Sequence, residues 1–125
     1  MEKLNTIQKR NKLNDVFAED EKGCGNANHV YTIHLESLRM ELDKPVPSYS
    51  ISFQNGGRNV EGSEHGITNE DLLEIVRHRL QCFQTSEYHC RENALALTHI
   101  EDALLWLNKR VDDRFDRGVL GGGGK

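Results

Sequence analysis

Residues 29–54 show a period-two alternation of hydrophobic and polar positions. Tyr31 and Ile33 carry the alternation before a break at 43–47, which contains both prolines of the chain, and Ile51 carries it afterwards between serines. Such alternation is typical of strands that bury one face. The pattern therefore predicts an antiparallel β-hairpin over 29–54, with serines on its polar face. After a one-residue slip, the first strand is expected to continue through Leu38, Met40 and Leu42.

The hydrophobic spacing becomes helical after a polar, glycine-rich loop at 55–67. Thr68 precedes Asp71 by three residues, which is the spacing of an N-capping pair at the start of a helix. The stripe that follows predicts a first helix that ends near Gln84. This stripe consists of Leu72, Val76, Leu80 and Phe83.

A second, longer helix is predicted from about 87 to 117, where Gly118 is suited to end it. One hydrophobic stripe of this helix would pack on the first helix and give an antiparallel helical hairpin over 68–118. Further hydrophobic residues project from other sides of the same helix, namely Leu95, Leu105 and Trp106. A helix with several hydrophobic faces has to bury more than one of them. We therefore expect self-association, most simply as a two-fold homodimer.

Together these elements predict an oligomeric α+β fold, in which an N-terminal β-hairpin or small antiparallel sheet precedes a helical hairpin. Residues 1–28 mix charged and polar residues with scattered hydrophobic ones, and they are expected to form a mobile arm. A single domain is expected over 29–121, and the glycine-rich residues 119–125 are expected to form a flexible tail.

Composition and charge exclude several classes of protein. The chain has 125 residues, of which 36% are hydrophobic and 29% charged, and its formal net charge is −4. This charge argues against a protein that coats DNA or RNA, because neutralising phosphates requires an excess of basic residues. No hydrophobic segment approaches the roughly 20 residues that span a bilayer, and the N-terminal residues lack the hydrophobic core of a secretory signal. The three cysteines cannot all pair within one chain, which favours a reducing, cytosolic setting.

Histidines and cysteines do not form a recognisable catalytic or metal-binding motif. His78 and Cys82 are four residues apart, and His89 is followed by Cys90, but neither spacing matches an established zinc pattern. No P-loop, G-x-S-x-G or HExxH sequence is present. We therefore expect no catalytic residues, no metal and no cofactor, with a cysteine–histidine nucleophile left open as the alternative.

Arg110, Arg114 and Arg117 share one face near the end of the second predicted helix. Their forked donors suit phosphate oxygens, which favours an anion-binding site. Neighbouring aspartates could instead neutralise these arginines on a solvated helix end. The spacing alone leaves both interpretations open.

Phe83 and Asn93 flank the turn between the two predicted helices. A ring and an amide in this position could hold a purine by stacking and hydrogen bonding, although such residues are more often part of a core and a helix cap. Asn93 and Arg110 are 17 residues apart on one helix, which corresponds to about 25 Å. A small ligand that contacts both would therefore have to bind between two copies of the chain.

Three stretches between Asn69 and Gly121 form a distinctive block: NEDLLEIVRHRLQCFQ, CRENALALTHIEDALLWLNKR and RGVLG. With this block the chain resembles the Thoeris anti-defence sponge family that bacteriophages encode. More distantly, and mainly over the second helix, it is similar to the phage sponges that counter cyclic-oligonucleotide signalling in CBASS immunity. The segments HVYTI and YSISFQNG fit the strands that the anti-Thoeris branch places before its helices, so the resemblance covers residues 29–121.

The resemblance implies a non-enzymatic protein that acts in the cytoplasm of the host bacterium. Such sponges bind a glycocyclic ADP-ribose isomer (gcADPR) released by TIR-domain proteins and hold it intact in pockets between subunits. The protein is therefore expected to be a homodimer. Some relatives form hexamers and hold cyclic di- or trinucleotides in separate pockets, where Thr98 would make a contact. A hydrolase or lyase that degrades the same signal is the alternative.

The resemblance also assigns five residues of this chain to the gcADPR pocket. Phe83 would stack on the adenine, and Asn93 would hydrogen-bond the base or the ribose. Arg110 and Arg114 of the neighbouring subunit would bind the pyrophosphate. Arg58 would close over the ligand from the loop that precedes the helices.

Overall fold

The computed structural model describes residues 1–36 and 46–122. In these residues an antiparallel sheet precedes two helices, the second of them long, so the predicted α+β class is confirmed. The residues form a sheet unit, Met1–Asn55 with Glu64–Gly66, and a helical unit, Gly56–Ser63 with Ile67–Lys125. The elements are β1 (Glu2–Lys3), β2 (Asp15–Ala18), β3 (Val30–His34), β4 (Ser48–Ser52), α1 (Asn69–Gln84) and α2 (Arg91–Asp116).

The sheet has the strand order β1-β2-β3-β4, and all neighbouring strands are antiparallel. In the predicted hairpin of β3 and β4, Tyr31 lies opposite Ile51. On the other, polar face of the hairpin, Thr32 lies opposite Ser50, as expected. The hairpin is therefore confirmed, but the hydrophobic face is not fully buried, because Tyr49 is 62% exposed. The continuation expected through Leu38, Met40 and Leu42 lies outside the described residues.

Residues 1–28, which were expected to form a mobile arm, contain two strands of this sheet. β2 pairs with β3 and places Val16 opposite Ile33 and Ala18 opposite Tyr31. Ala18 is only 2% exposed. These strands could not be recognised in the sequence because they have two and four residues, which is too few to show a period-two alternation. β2 takes its backbone hydrogen-bond partners from β1 and β3, and β1 takes its partners from β2.

Asp20 fixes the connection between β2 and β3. Its carboxylate accepts hydrogen bonds from the backbone N–H groups of His29 at 3.0 and 3.1 Å and Val30 at 3.1 Å. These bonds, above all the one from Val30, hold the pKa of Asp20 below its usual range. Next to it, the Thr32 hydroxyl donates to Glu19 at 2.5 Å. These side-chain hydrogen bonds therefore help to fix the connection between the short strands β2 and β3.

α1 begins and ends where the pattern predicts. Asp71 N–H donates to the Thr68 hydroxyl at 3.3 Å, and Thr68 N–H donates to the Asp71 carboxylate at 2.9 Å. This reciprocal pair satisfies two backbone donors that the helix start would leave without partners. The helix ends at Gln84, and Thr85 follows as its C-cap residue.

α2 begins at Arg91, four residues later than predicted, because Ser86 to Cys90 form a turn. The Gln84 side chain accepts a hydrogen bond from Cys90 N–H at 3.1 Å and donates to the Cys90 carbonyl at 3.2 Å. Cys90 is the N-cap residue of α2, and its Sγ accepts from Asn93 N–H at 3.4 Å. The 26 residues of α2 extend about 39 Å. As predicted, Gly118 follows the helix with a positive φ of 73°.

The two helices pack as the predicted antiparallel hairpin but bury little of their hydrophobic surface. Arg77 of α1 donates to Glu101 of α2 at 2.9 Å across the contact. The packed stripes, for example Leu80 and Leu104, are half-buried. Many large hydrophobic side chains of the helical unit are exposed, including Ile75, Val76, Tyr88, Leu95, Leu105, Trp106 and Phe115. Within residues 1–36 and 46–122, no helix is long and hydrophobic enough to cross a membrane.

Candidate functional site

Phe83 and Asn93 are held at the same turn of the hairpin. The carbonyl of Phe83 accepts hydrogen bonds from the Ser86 hydroxyl at 2.6 Å and from Ser86 N–H at 3.0 Å. The Asn93 side-chain amide donates to the carbonyl of Tyr88 at 3.4 Å. Both residues are thus attached to residues 85–90, as the sequence predicted. The turn itself is ordered by the Gln84 and Cys90 contacts described above.

The Phe83 ring is partly exposed, and a cation lies over it. Its exposed fraction is 36%, and the guanidinium carbon of Arg79 is 5.4 Å from the ring centroid. An arginine in this position makes a cation–π contact and can also pair with an anion. Arg79 was absent from the sequence-based set, although its position one helical turn before Phe83 would have suggested the contact.

The arginines near the end of α2 differ in their surroundings. Arg110 is exposed on the helix. Arg114 is buried, with 9% of its surface exposed, and its Nη2 donates to the carbonyls of Val119 at 3.3 Å and Gly122 at 3.4 Å. Arg114 therefore holds the segment after α2 against the end of the helix. Arg114 is therefore not part of a purely solvated face, whereas the exposed Arg110 fits either interpretation.

The loop that carries Arg58 packs against this same segment. Asn59 N–H donates to the carbonyl of Gly121 at 2.8 Å. Gly57 approaches Gly121 and Gly122 so closely that a Cβ at position 57 would collide with their carbonyl oxygens. Arg58, which is exposed, is therefore carried by a loop anchored beside the end of α2. Within the helical unit, the structure brings the Arg58 loop and the arginine end of α2 together.

The turn end and the arginine end of the hairpin are far apart. Asn93 and Arg110 both lie within the uninterrupted helix Arg91–Asp116, so their Cα atoms are about 25 Å apart. A single small ligand cannot contact both ends of one chain. Thr98 is exposed on α2, five residues after Asn93, and is not part of either end.

A groove of about 550 Å³ runs between α1 and α2. None of the predicted site residues lines it. Arg77 lies between Glu74 and Glu101. Its hydrogen bond to Glu101, and to a smaller extent the one to Glu74, raises the pKa of Arg77 above its usual range. With three carboxylates and one guanidinium, the groove is unsuited to an anionic ligand. Its lining residues are Glu70, Glu74, Arg77, Glu101, Leu104, Leu105, Asn108 and Val111.

The described residues also bear on metal binding. In residues 1–36 and 46–122, no group of three or more histidine, cysteine, aspartate or glutamate side chains is arranged to hold a metal ion. Near the end of α1, the Cys82 Sγ lies 3.9 Å from the His78 Nε2. All three cysteines, Cys24, Cys82 and Cys90, are free thiols and exposed.

Comparison with known proteins gives two matches. Residues 50–112 match the family model described as "Acb2/Tad1, hairpin domain". Over 72 residues, the chain is 51% identical to "Thoeris anti-defense 1" of Bacillus phage SBSphiJ7. That similarity covers 58% of this chain and half the length of the relative. The family match includes Arg58, Phe83, Asn93, Thr98 and Arg110 and ends two residues before Arg114.

Proposed function

Since the chain belongs to the Acb2/Tad1 hairpin-domain family, we propose that it is a phage anti-defence protein that sequesters a cyclic nucleotide signal. The ligand is a glycocyclic ADP-ribose isomer made by TIR-domain proteins of the Thoeris system. The protein binds this molecule in the host cytoplasm and does not cleave it, so the defence effector stays inactive. The single observation that carries the proposal is the family match over the helical hairpin.

The turn end of the hairpin supplies the groups that recognise the base. Phe83 stacks on the adenine through its partly exposed ring, while the Arg79 guanidinium lies over that ring. Asn93 is fixed beside the turn by its bond to Tyr88, and its amide bonds the base or the ribose. A ring, a cation and an amide suit a molecule that carries both a purine and phosphates.

The arginine end supplies the groups that bind the pyrophosphate. Arg110 is exposed on α2, and it contacts the phosphate oxygens directly. Arg114 holds the segment that anchors the Arg58 loop. Arg114 therefore contributes to the pyrophosphate site and also positions the loop from which Arg58 closes over the ligand. Charge-assisted hydrogen bonds of this kind strengthen when a site is closed off from water.

Two copies complete each site, because the two ends are about 25 Å apart on one helix. In an antiparallel pair of α2 helices, the turn end of one copy meets the arginine end of the other. This arrangement repeats at two equivalent places and gives a homodimer with two ligands. The exposed hydrophobic residues of the helical unit provide surface for such a pairing, with Leu95 and Trp106 on the outer side of α2.

Cyclic di- and trinucleotides are the second ligand class for the same protein. They share a purine and phosphates with gcADPR, and Thr98 is exposed between the two ends of α2. A separate pocket at Thr98 would require a larger assembly such as a hexamer. Competition between gcADPR and a cyclic trinucleotide distinguishes separate pockets from a shared one.

The decisive experiment combines calorimetry with recovery of the ligand. The protein is titrated with gcADPR, then heated to denature it, and the released molecule is identified by mass spectrometry. Sequestration predicts unchanged gcADPR. Recovery of a hydrolysed or rearranged product would instead identify a hydrolase or lyase.

Arg110→Ala tests the pyrophosphate site. Removing one charge-assisted contact is expected to cost about 2–3 kcal/mol of binding free energy, or roughly 30- to 150-fold in affinity. Lys109→Ala is the matched control, because Lys109 is the neighbouring cation and pairs with Asp113 instead. Unchanged affinity in Arg110→Ala, with the helical circular dichroism retained, would contradict the assignment.

A further inference from the structure

The groove between α1 and α2 carries an unusual combination of charge and hydrophobic surface. Glu70, Glu74 and Glu101 line it, and Arg77, which pairs with Glu74 and Glu101, is the single cation among its lining residues. Leu104, Leu105 and Val111 also line it, and Leu105 is 69% exposed. The partner of such a groove has to carry both a hydrophobic side chain and positive charge.

The loop between β1 and β2 has the complementary character. Residues 4–14 contain three cations and no acidic residue. Ile7 is 100% exposed, and Leu13 is also exposed. Lys12 pairs with Asp15, whereas Lys9 contacts only the neutral Asn5 among the described ion pairs and hydrogen bonds. The loop therefore presents a hydrophobic side chain flanked by positive charge.

We propose that the β1–β2 loop of one copy docks into the acidic groove of a second copy. Ile7 packs on the exposed Leu105, and the charges of Lys9 and Arg10 meet the carboxylates that line the groove. A volume of about 550 Å³ accommodates a hydrophobic and a cationic side chain together. The contact uses none of the residues assigned to the nucleotide site, so it stands or falls separately from the proposed function.

This contact adds a second interface to the pairing of the α2 helices. Each copy carries one loop and one groove, so the contact either closes as a symmetric pair or links dimers into a larger ring. Because it joins opposite charges at exposed positions, it weakens as the salt concentration rises. A larger assembly at low salt is therefore expected for the unmodified chain.

Charge reversal tests the contact by sedimentation velocity at low salt. Arg10→Glu and Glu70→Lys are each expected to weaken the largest assembly by roughly tenfold or more in dissociation constant, because like charges then face each other. Combining the two restores an opposite-charge pair and is expected to recover most of the association. Weakening in both single variants without recovery in the combination would overturn the proposal.

Two controls separate this contact from loss of folding. Asp102→Lys makes the same charge change beside Glu101 but outside the groove lining, and it is expected to leave the assembly intact. Ile7→Asp changes a fully exposed residue, which removes the hydrophobic contact without a cost to the fold. An assembly unchanged by Ile7→Asp would overturn the proposal even if the groove variants misfold.

Cross-linking identifies which copies are joined. A carbodiimide that couples lysine to carboxylates is added to an equal mixture of ¹⁴N- and ¹⁵N-labelled protein. Cross-links between Lys9 and a groove glutamate are expected to include pairs of mixed label. Pairs of one label alone would place the loop in the groove of its own chain and overturn docking between copies.

Discussion

The sheet unit and the helical unit are stabilised by different kinds of contact. In the sheet unit, side chains bond to the backbone across strands, as Asp20 does with His29 and Val30. In the helical unit, side chains cap the N-terminal ends of both helices. Arg77 of α1 also bonds to Glu101 of α2. Yet Trp106 is 71% exposed. The hairpin is thus well specified locally while much of its hydrophobic surface stays uncovered.

This difference indicates that a partner would bury the exposed hydrophobic surface of the helical unit. Exposed hydrophobic patches of this kind are typical of surfaces that are buried in an assembly. If a second copy covers the helical unit, its stability rises with protein concentration, because association favours the folded state by mass action. In the sheet unit, association is proposed only for the β1–β2 loop, which carries the exposed Ile7. Variants at matched positions in the two units can therefore separate assembly from folding.

The largest effect is expected from Trp106→Ala. Large aromatic residues at the centre of interfaces often contribute about 2 kcal/mol or more to association, which is roughly 30-fold in the dissociation constant. We expect this variant to dissociate at concentrations where the unmodified protein is dimeric. Sedimentation equilibrium across a dilution series measures the shift.

Tyr49→Ala is the matched control in the sheet unit. Tyr49 is an aromatic residue on β4 with a similar exposed fraction, 62%. Its removal is expected to leave the dissociation constant unchanged. Equal effects of the two substitutions, or no effect of Trp106→Ala, would show that the exposed helical surface is not the main interface.

The helical hairpin could be predicted closely because its signals are local. The spacing of Thr68 and Asp71 predicted the start of α1, and the periodic leucines predicted both helices. The start of α2 was missed because Gln84 bonds to the backbone of Cys90 and stabilises a turn that spacing alone does not reveal. The strands β1 and β2 were missed because they are very short and are held by pairing with other strands, β1 with β2 and β2 with β3.

The candidate site was predictable only in its residue types. The sequence indicated Phe83 with Asn93 at one end and the arginines at the other. It could not show that Arg114 is buried against Val119 and Gly122, because that contact depends on how the chain folds back after α2. The anchoring of the Arg58 loop beside this segment likewise depends on tertiary contacts.

A smaller effect is expected from the helix caps. Thr68→Ala removes the hydroxyl that accepts from Asp71 N–H, and loss of such a cap typically costs about 1 kcal/mol. Cys90→Ala is expected to cost less, because a thiol is a weaker acceptor and its contact is 3.4 Å long. Guanidinium denaturation at one fixed protein concentration compares the free energies of unfolding.

Conservative variants sharpen this comparison of the two caps. Thr68→Ser keeps the accepting hydroxyl and is expected to retain most of the stability. Cys90→Ser replaces the thiol by a favoured N-cap residue and is expected to stabilise α2 slightly. If Cys90→Ala costs more than Thr68→Ala, the thiol has a role in the turn beyond capping.

The smallest effect is expected from Asp20→Asn in the sheet unit, because asparagine keeps one oxygen that accepts hydrogen bonds. The stability difference between the two proteins should be present near neutral pH and should disappear in acid. The folded protein lowers the pKa of Asp20, mainly through the backbone bond from Val30, so its stabilising contribution is complete above the unfolded pKa of about 3.9. That contribution is lost as the pH falls through the lower folded value. Acid unfolding followed by circular dichroism is therefore expected to depend less steeply on pH in the variant. Identical acid profiles for the two proteins would mean that the Asp20 charge does not hold the β2–β3 connection.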